Sequence, residues 1–431
     1  MRSLCSSLGT AEAGSTVTLE GWVHRRRQLA RVTFLVVRDR SGLAQVVLPA
    51  GAAVPAEETT VRVTGTATRN PQAPGGTEVT DATVLALTED AATPPAELWR
   101  PDLDVSLPTL LDHAPVLWRH PAQRARWELA AASLRGFRAT LDGLGFTEVT
   151  TPKIVGTATE SGAKVFPVDW FGREAYLAQS PQFYKQQLVG VFERVYEVGP
   201  VFRAEPHDTV RHLAEYRSLD VELGFIEDHR DVLAVLRDVL AGMVDAVRAE
   251  EQAVSRTGAS LPVVPDEVPV IHFRDALALV GAPADEPDLA PEHERAVSAW
   301  ALAEHGSDLV AVEGQPLAKR PFYTHPWSRD GAGAPARATE RSSNSFDLLF
   351  RGLELVTGGQ RLHRVSDYER AIRARGEDPA TYDAYLQAFR HGMPPHGGFA
   401  IGLERWVGRL VGAANVREVT LFPRDLNRLA P

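Results

Sequence analysis

Cysteine occurs once in 431 residues, at position 5. A single thiol can form neither an intrachain disulfide nor a thiolate zinc site. Lysine is nearly missing too: Lys153, Lys164, Lys185 and Lys319 stand alone among the arginines. In so biased a composition, each surviving lysine is a place to look for a task that suits a compact point charge better than a planar fork. No apolar run approaches the roughly 20 residues that cross a bilayer. The opening segment MRSLCSSLGTAEAGST lacks the apolar stretch and cleavage pattern of a signal peptide, so a soluble, cytoplasmic protein is expected. There is no Gly-Lys dipeptide, which excludes a P-loop. Gly397, Gly398 and Gly402 do not follow the dinucleotide-binding spacing. His391 and His396 flank Met393-Pro394-Pro395, which fits no common zinc spacing and reads as a turn.

What is present is ordinary globular material, 44% apolar and 24% charged, and the length supports two or three domains. The net charge of −10 argues against sequence-blind nucleic-acid binding. One segment runs against that sign: His24, Arg25, Arg26, Arg27, Arg31, Arg38 and Arg40 form a cationic stretch. Around it, Val17–Val23, Thr33–Val37, Ala44–Leu48, Val61–Ala67 and Glu78–Leu87 read as short β-branched strands. Turn clusters at Arg40-Ser41-Gly42 and between Asn70 and Gly76 separate them. Five such strands suggest a small barrel over 1–92, of which the OB-fold is the common nucleic-acid-binding form. An SH3-like barrel or a sandwich satisfies the same pattern.

Prolines at 94, 95, 101, 108, 115 and 121 predict an extended, semi-rigid hinge over 93–121. From 122 the pattern turns helical, with Leu134, Phe137, Leu141 and Leu144 at helical spacing and Gly145 as a stop. A second helix is predicted over 229–249. Strand-like runs occur at Glu193–Val198, Ser218–Phe225, Leu348–Val356 and Gly398–Gly402. Helices flanking strands in meander order predict an α+β domain on an antiparallel sheet over 122–431. Residues 250–340, rich in Pro, Ala and Gly, read as a variable insertion.

Three segments carry chemistry. Val201-Phe202-Arg203-Ala204-Glu205, followed by a polar loop to Arg211-His212-Leu213 and Tyr216, suits a polyphosphate, since arginine forks match phosphate oxygens. Glu354-Leu355-Val356-Thr357-Gly358-Gly359-Gln360-Arg361 offers Glu354 and Thr357 as oxygen donors to a hard cation. Gly398-Phe399-Ala400-Ile401-Gly402-Leu403-Glu404-Arg405 is a glycine-lined strand running into a helix that opens with an arginine.

Singly, each segment is also compatible with salt-bridged strand ends and glycine turns. Together and in this order they resemble the class II aminoacyl-tRNA synthetases, within them the aspartyl/asparaginyl branch and most closely its compact archaeal type, over essentially the whole chain. Phe202 to Glu205 through Asp220-Val221-Glu222 resembles the second signature motif, Gly398 to Arg405 the third, and Leu421-Phe422-Pro423-Arg424-Asp425 the usual ending. The helix leading to Thr150-Thr151-Pro152 is a weaker match to the first motif, which in the family builds a homodimer interface. The resemblance implies an anticodon-binding OB-fold and a catalytic domain on a six-stranded antiparallel sheet. It further implies ATP and Mg²⁺ as cofactors and tRNA as partner.

By that resemblance Arg203 grips the α-phosphate, Arg405 the γ-phosphate, and Glu205, Arg211, His212 and Leu213 the remainder of ATP. Tyr216 stands where adenine stacks, with Arg405 on the other face. Glu354 and Thr357 hold Mg²⁺, threonine replacing the more usual serine. Lys185 and Arg361 match the residues that hold an aspartate side chain. Glu160, Gln182 and Asp220, with Thr357, surround its ammonium and carboxylate. Ser161 and Pro206 depart from the family pattern. In the barrel, Trp22 and Phe34 are predicted base-stacking residues and Gln45 an edge reader. His24 and Pro74 match forms that charge both the aspartate and asparagine tRNAs, which implies a downstream amidotransferase. An asparaginyl-tRNA synthetase and a tRNA-independent, aspartyl-adenylate-forming paralogue are the alternatives. The cationic pair speaks against the first and the basic barrel against the second.

Overall fold

The computed structural model describes residues 2–156, 164–206, 208–327 and 342–430. Glu160 and Ser161 lie outside that set. The chain divides into two compact units, Met1–Arg124 and Ala125–Pro431.

The first unit is built on a closed barrel of β1 (Thr16–Gln28), β2 (Val32–Arg38), β3 (Leu43–Pro49), β4 (Thr60–Arg69) and β5 (Thr77–Ala86), in the order β1-β2-β3-β5-β4. All five strands fall where β-branched residues predicted them, because alternation sends one face of each inward. Val17, Leu19, Val23, Leu35, Val37, Val46, Val61, Val63 and Val79 fill the interior. The proline-rich stretch is not simply extended. It carries α1 (Leu107–Asp112), capped by the Ser106 hydroxyl, and α2 (Ala114–Leu117). Pro108 and Pro115 occupy first-turn positions, where the missing N–H costs nothing. Leu98, Leu110 and Leu117 form a small core of their own there.

The second unit follows α3 (Pro121–Gly143) with β6 (Thr147–Glu148), β7 (Ile154–Val155), β8 (Pro167–Trp170), β9 (Arg173–Leu177), α4 (Gln182–Phe192), β10 (Arg194–Phe202) and β11 (Glu215–Gly224). Then come α5 (His229–Arg248), α6 (Glu251–Thr257), β12 (Val270–His272), α7 (Phe273–Val280), α8 (Pro291–His305) and β13 (Leu309–Glu313). The chain closes with β14 (Ser345–Phe350), β15 (Leu353–Gln360), α9 (Val365–Ala374), α10 (Asp383–Arg390), β16 (His396–Gly402) and α11 (Leu403–Leu410). One sheet of eight strands, ordered β12-β13-β14-β15-β16-β11-β10-β6, carries the site. Its inner six strands are antiparallel, and the short edge strands β12 and β6 pair in parallel. The sheet is therefore mixed and two strands wider than the resemblance implied.

Two further readings change. The run Leu348–Val356 is a hairpin rather than one strand: Arg351 and Gly352 both take positive φ and turn the chain between β14 and β15. Residues 250–340 are not merely an insertion, since β13 is buried at all five positions inside the sheet. Its apolar run is only five residues long and gives no alternation to read. Helices α3 and α5 pack on the sheet, with Phe137, Leu141, Leu236, Leu240 and Met243 in the main core. A Cβ on Gly136 would lie 2.4 Å from the Gly242 carbonyl oxygen, so only glycine permits that approach.

Candidate active site

A cavity of about 320 Å³ opens in the second unit, floored by β11, β15 and β16 and walled by α4, α11 and the loop after β10. It gathers Gln182, Lys185, Arg203, Glu205, Arg211, His212, Leu213, Tyr216, Asp220, Glu354, Thr357, Arg361 and Arg405. Every cavity residue predicted from sequence, Glu160 aside, lines this one space.

Its deep end is ionic. Gln182 and Lys185 are one helical turn apart on α4, which puts both on the same buried face. Lys185 Nζ lies 3.1 Å from Asp220 Oδ1 and 3.3 Å from Glu222 Oε2. Arg361 Nε donates to Glu222 Oε1 at 3.0 Å and its Nη2 to the Gly398 carbonyl at 3.0 Å. Ser218 donates its hydroxyl to Asp220 Oδ2 at 2.5 Å. Burial works to raise the Glu222 carboxyl, but Arg361 and Lys185 outweigh it and hold it below the ordinary value. Each of the two predicted cations thus faces a carboxylate of the chain itself. Gly398 makes this arrangement possible, because a Cβ there would sit 2.2 Å from Glu222 Oε2.

The other end is built from strand termini. Arg203 follows β10, with its guanidinium carbon 5.8 Å from the Tyr216 ring centroid. Arg211 Nη1 reaches 3.8 Å from Glu294, and His212 Nδ1 pairs with the Thr209 hydroxyl at 2.6 Å. Thr357 donates its hydroxyl to Glu354 Oε1 at 3.2 Å. Arg405 Nη1 donates to the Glu354 carbonyl at 3.1 Å. Arg320 Nη2 donates to Asp347 Oδ2 at 2.5 Å. Burial and the Glu354 charge push the Asp347 carboxyl up, against the pull of Arg320. Burial and Glu354 likewise raise Glu294. Carboxylates that crowd one another in this way suit a cation bridging to a polyphosphate. No cluster of three or more protein metal ligands occurs among the described residues. Magnesium does not need one, since it keeps several waters and takes one or two carboxylates plus phosphate oxygens.

Sequence reasoning missed Glu222 as a partner of both cations, although Ser218, Asp220 and Glu222 alternate along one strand and so share a face. It also missed Arg320, Tyr323, Thr324 and Asp347, for which local pattern held no signal.

On the barrel, Trp22, Phe34 and Gln45 lie on one outward, half-buried face of β1-β2-β3, where Trp22 pairs with Arg38, Phe34 with Val47 and Gln45 with Val36. Gln45 Nε2 donates to Glu78 at 2.8 Å. Pro74 is exposed in the loop before β5. His24 stands apart. It is the bulged residue of β1, 6% exposed, with Nδ1 2.9 Å from Arg38 Nη1. Arg38 is in turn bidentate to Glu58, at 2.8 Å for both bonds. Burial first, then the Arg38 charge, lowers the His24 imidazole to about 4. His24 is thus buried, and Arg38 is the side chain it touches.

A barrel of nucleic-acid-binding type in one unit and an arginine-rich cavity on an antiparallel core in the other define a class of protein, and comparisons agree. The family model described as tRNA synthetases class II (D, K and N) matches residues 107–426, and that for the OB-fold nucleic acid binding domain matches 17–85. The chain belongs to the class II tRNA synthetases of the D, K and N group. It is 46% identical to the Aspartate--tRNA(Asp/Asn) ligase of Deinococcus radiodurans, over 97% of this chain and 96% of that one. With the ligase of the same name from Thermus thermophilus it shares 44% identity over the full length of both. Among solved structures, asparaginyl-tRNA synthetase from Pyrococcus horikoshii complexed with asparaginyl-adenylate superposes with a TM-score of 0.90, at 27% identity and with full coverage of both chains.

Proposed function

We infer that the protein attaches L-aspartate to tRNA in two steps. An aspartate α-carboxylate oxygen attacks the ATP α-phosphorus, the bond to pyrophosphate breaks, and aspartyl-adenylate forms. The 3′-terminal adenosine hydroxyl then attacks the acyl carbon and AMP leaves. Arg203 steadies the α-phosphate and Arg405 the γ-phosphate. Arg211 and His212 close over the phosphates, with Glu205 and Leu213 along the nucleotide, and Tyr216 stacks on adenine. Such chemistry is mostly positioning and charge stabilisation. Glu354 and Thr357 would hold Mg²⁺, which supplies charge neutralisation to the phosphate oxygens.

The observation that carries the choice of aspartate is the balanced floor of Lys185, Arg361, Asp220 and Glu222. When the substrate ammonium takes Asp220, with Gln182 beside it, two cations remain against Glu222 alone. A side-chain carboxylate restores neutrality there; an asparagine amide leaves one buried charge uncompensated.

The same reading extends to both the aspartate and asparagine tRNAs, with an amidotransferase completing the second, and to a cytoplasmic homodimer. The names of the relatives and the pair His24 and Pro74 support the dual charging. No helix among the described residues is long and apolar enough to cross a membrane. The test is aminoacylation with labelled aspartate against the two transcripts separately. Charging of both supports dual specificity, and charging of the aspartate tRNA alone removes it. Charging with asparagine instead would replace the enzyme by its asparaginyl counterpart. No charging with either amino acid would leave the tRNA-independent paralogue.

A further inference from the structure

The sheet that carries the site is split at one end. Strand β16 pairs with β11 only as far as Ser218↔Gly402 and with β15 only as far as Val356↔Ile401, and then turns into α11. Its two neighbours continue. Residues 215–217 of β11 stay paired with β10, and 353–355 of β15 stay beside β14. Between these overhangs lies the nucleotide end of the cavity. The middle residue of each overhang is a predicted ligand: Tyr216 on one side, Glu354 on the other.

An overhanging strand has backbone groups that the missing neighbour would have satisfied, and an unsatisfied buried group is costly. Buried carboxylates take that place on each side. Glu404, in the first turn of α11 and 7% exposed, accepts the Arg217 N–H with both oxygens, at 3.0 and 3.2 Å. Glu294, on α8 and also 7% exposed, accepts the Glu354 N–H at 3.3 Å. Arg405 completes the second side through the Glu354 carbonyl, and the C-terminal segment bridges Glu215 at Arg424. Glu294 lies far from the three segments that carry the chemistry, in the region that reads from sequence as an insertion.

We propose that Glu404 and Glu294 are positioning residues for ATP, standing in for the strand that β16 does not supply and so fixing the separation of the Tyr216 and Glu354 walls. Neither touches aspartate's end of the cavity: the Lys185, Asp220, Glu222 and Arg361 cluster is held by its own contacts. The consequence is a divided effect. Loosening either cap costs ATP binding and leaves aspartate binding alone.

The proposal rests on the cavity being the ATP site, and the experiment separates the two. Aspartate-dependent ATP–pyrophosphate exchange is measured on the full-length protein as Glu404→Ala, Glu404→Gln and Glu404→Asp, and the same three changes at 294. Alanine should raise the KM for ATP by about tenfold or more, as loss of a buried hydrogen bond allows, with the KM for aspartate within about twofold. Glutamine keeps an acceptor oxygen at the same reach and should restore ATP affinity to within about threefold. Aspartate keeps the charge but withdraws the acceptor by one methylene, so it should behave like alanine; it also serves if an alanine protein does not fold. An unchanged KM for ATP in the alanine and aspartate variants overturns the proposal. Equal increases for ATP and aspartate, or glutamine behaving as alanine, overturn it as well. Wild-type protein without exchange activity would instead remove the reading of the cavity on which it rests.

Discussion

Lys185 and Asp220 are buried against each other, Nζ 3.1 Å from Oδ1, with both side chains 2% exposed. Glu222, wholly buried, is the second carboxylate on the same ammonium. Removing one member of such a pair leaves an uncompensated interior charge, which costs about 3–5 kcal/mol. Lys185→Met should therefore lower unfolding stability by that order in guanidinium titrations, alongside a large rise in the KM for aspartate. A loss under about 1 kcal/mol would mean that water reaches these carboxylates and that the floor is not closed.

Glu354 and Thr357 make the second prediction. Their oxygens adjoin, 3.2 Å apart, and burial, with the Glu354 charge added to it, raises the carboxyls of Asp347 and Glu294. Glu354→Gln should raise the Mg²⁺ concentration for half-maximal pyrophosphate exchange by about tenfold, since a hard cation loses its charged ligand. Thr357→Ser keeps the oxygen and should stay within about twofold. A Mg²⁺ titration at fixed ATP checks both, and an unchanged midpoint in Glu354→Gln would remove these residues from the metal.

The parts of the site that could be read in the sequence are those whose chemistry travels with a local pattern. Arg203-Ala204-Glu205 ends a strand, Gly398 to Arg405 runs strand into helix, and both were legible because the residue types and the turn from one element to the other coincide. Lys185 stood out only against the scarcity of lysine. Its counter-charges did not, since Glu222 becomes a partner through the pairing of β11 with β16, and Gly398 gains its purpose from the same register. Glu294 lies 60 residues before the N–H it caps, on α8, whose apolar residues follow no strong helical periodicity. His24, singled out with Pro74 by its resemblance to forms that charge both tRNAs, is the bulged residue between Val23 and Arg25, a placement that no local pattern in the sequence marks.

That bulge has a thermodynamic consequence. The His24 imidazole sits near 4 when folded against an ordinary 6.5, so below pH 6.5 the unfolded chain binds a proton that the folded chain refuses. Stability is full above 6.5 and falls as pH drops toward 4, by up to about 3 kcal/mol for this one group. Acid-side unfolding of the full-length protein should show this slope, and His24→Asn should flatten it by close to one proton. Equal slopes in the two proteins would mean that the Arg38–Glu58 pair opens and lets the imidazole charge.

Phe34 offers the cleanest separation of the two units' tasks. It lies on the outward face of β2, half-buried and paired across to Val47 and Arg27, whereas Trp22 also packs near Arg38, 5.9 Å from its guanidinium. A base stacked on an aromatic ring contributes about 1–3 kcal/mol, or roughly 5- to 150-fold in affinity at 1.4 kcal/mol per decade. Phe34→Ala should thus lower kcat/KM for tRNA in aminoacylation by about tenfold or more, through KM. Aspartate-dependent pyrophosphate exchange, which needs no tRNA, should keep its wild-type rate. Loss in both assays would mean that the substitution unfolds the chain. Loss in neither would move base recognition off this face, toward the exposed Pro74 loop or the cationic β1–β2 hairpin that carries Arg27 and Arg31.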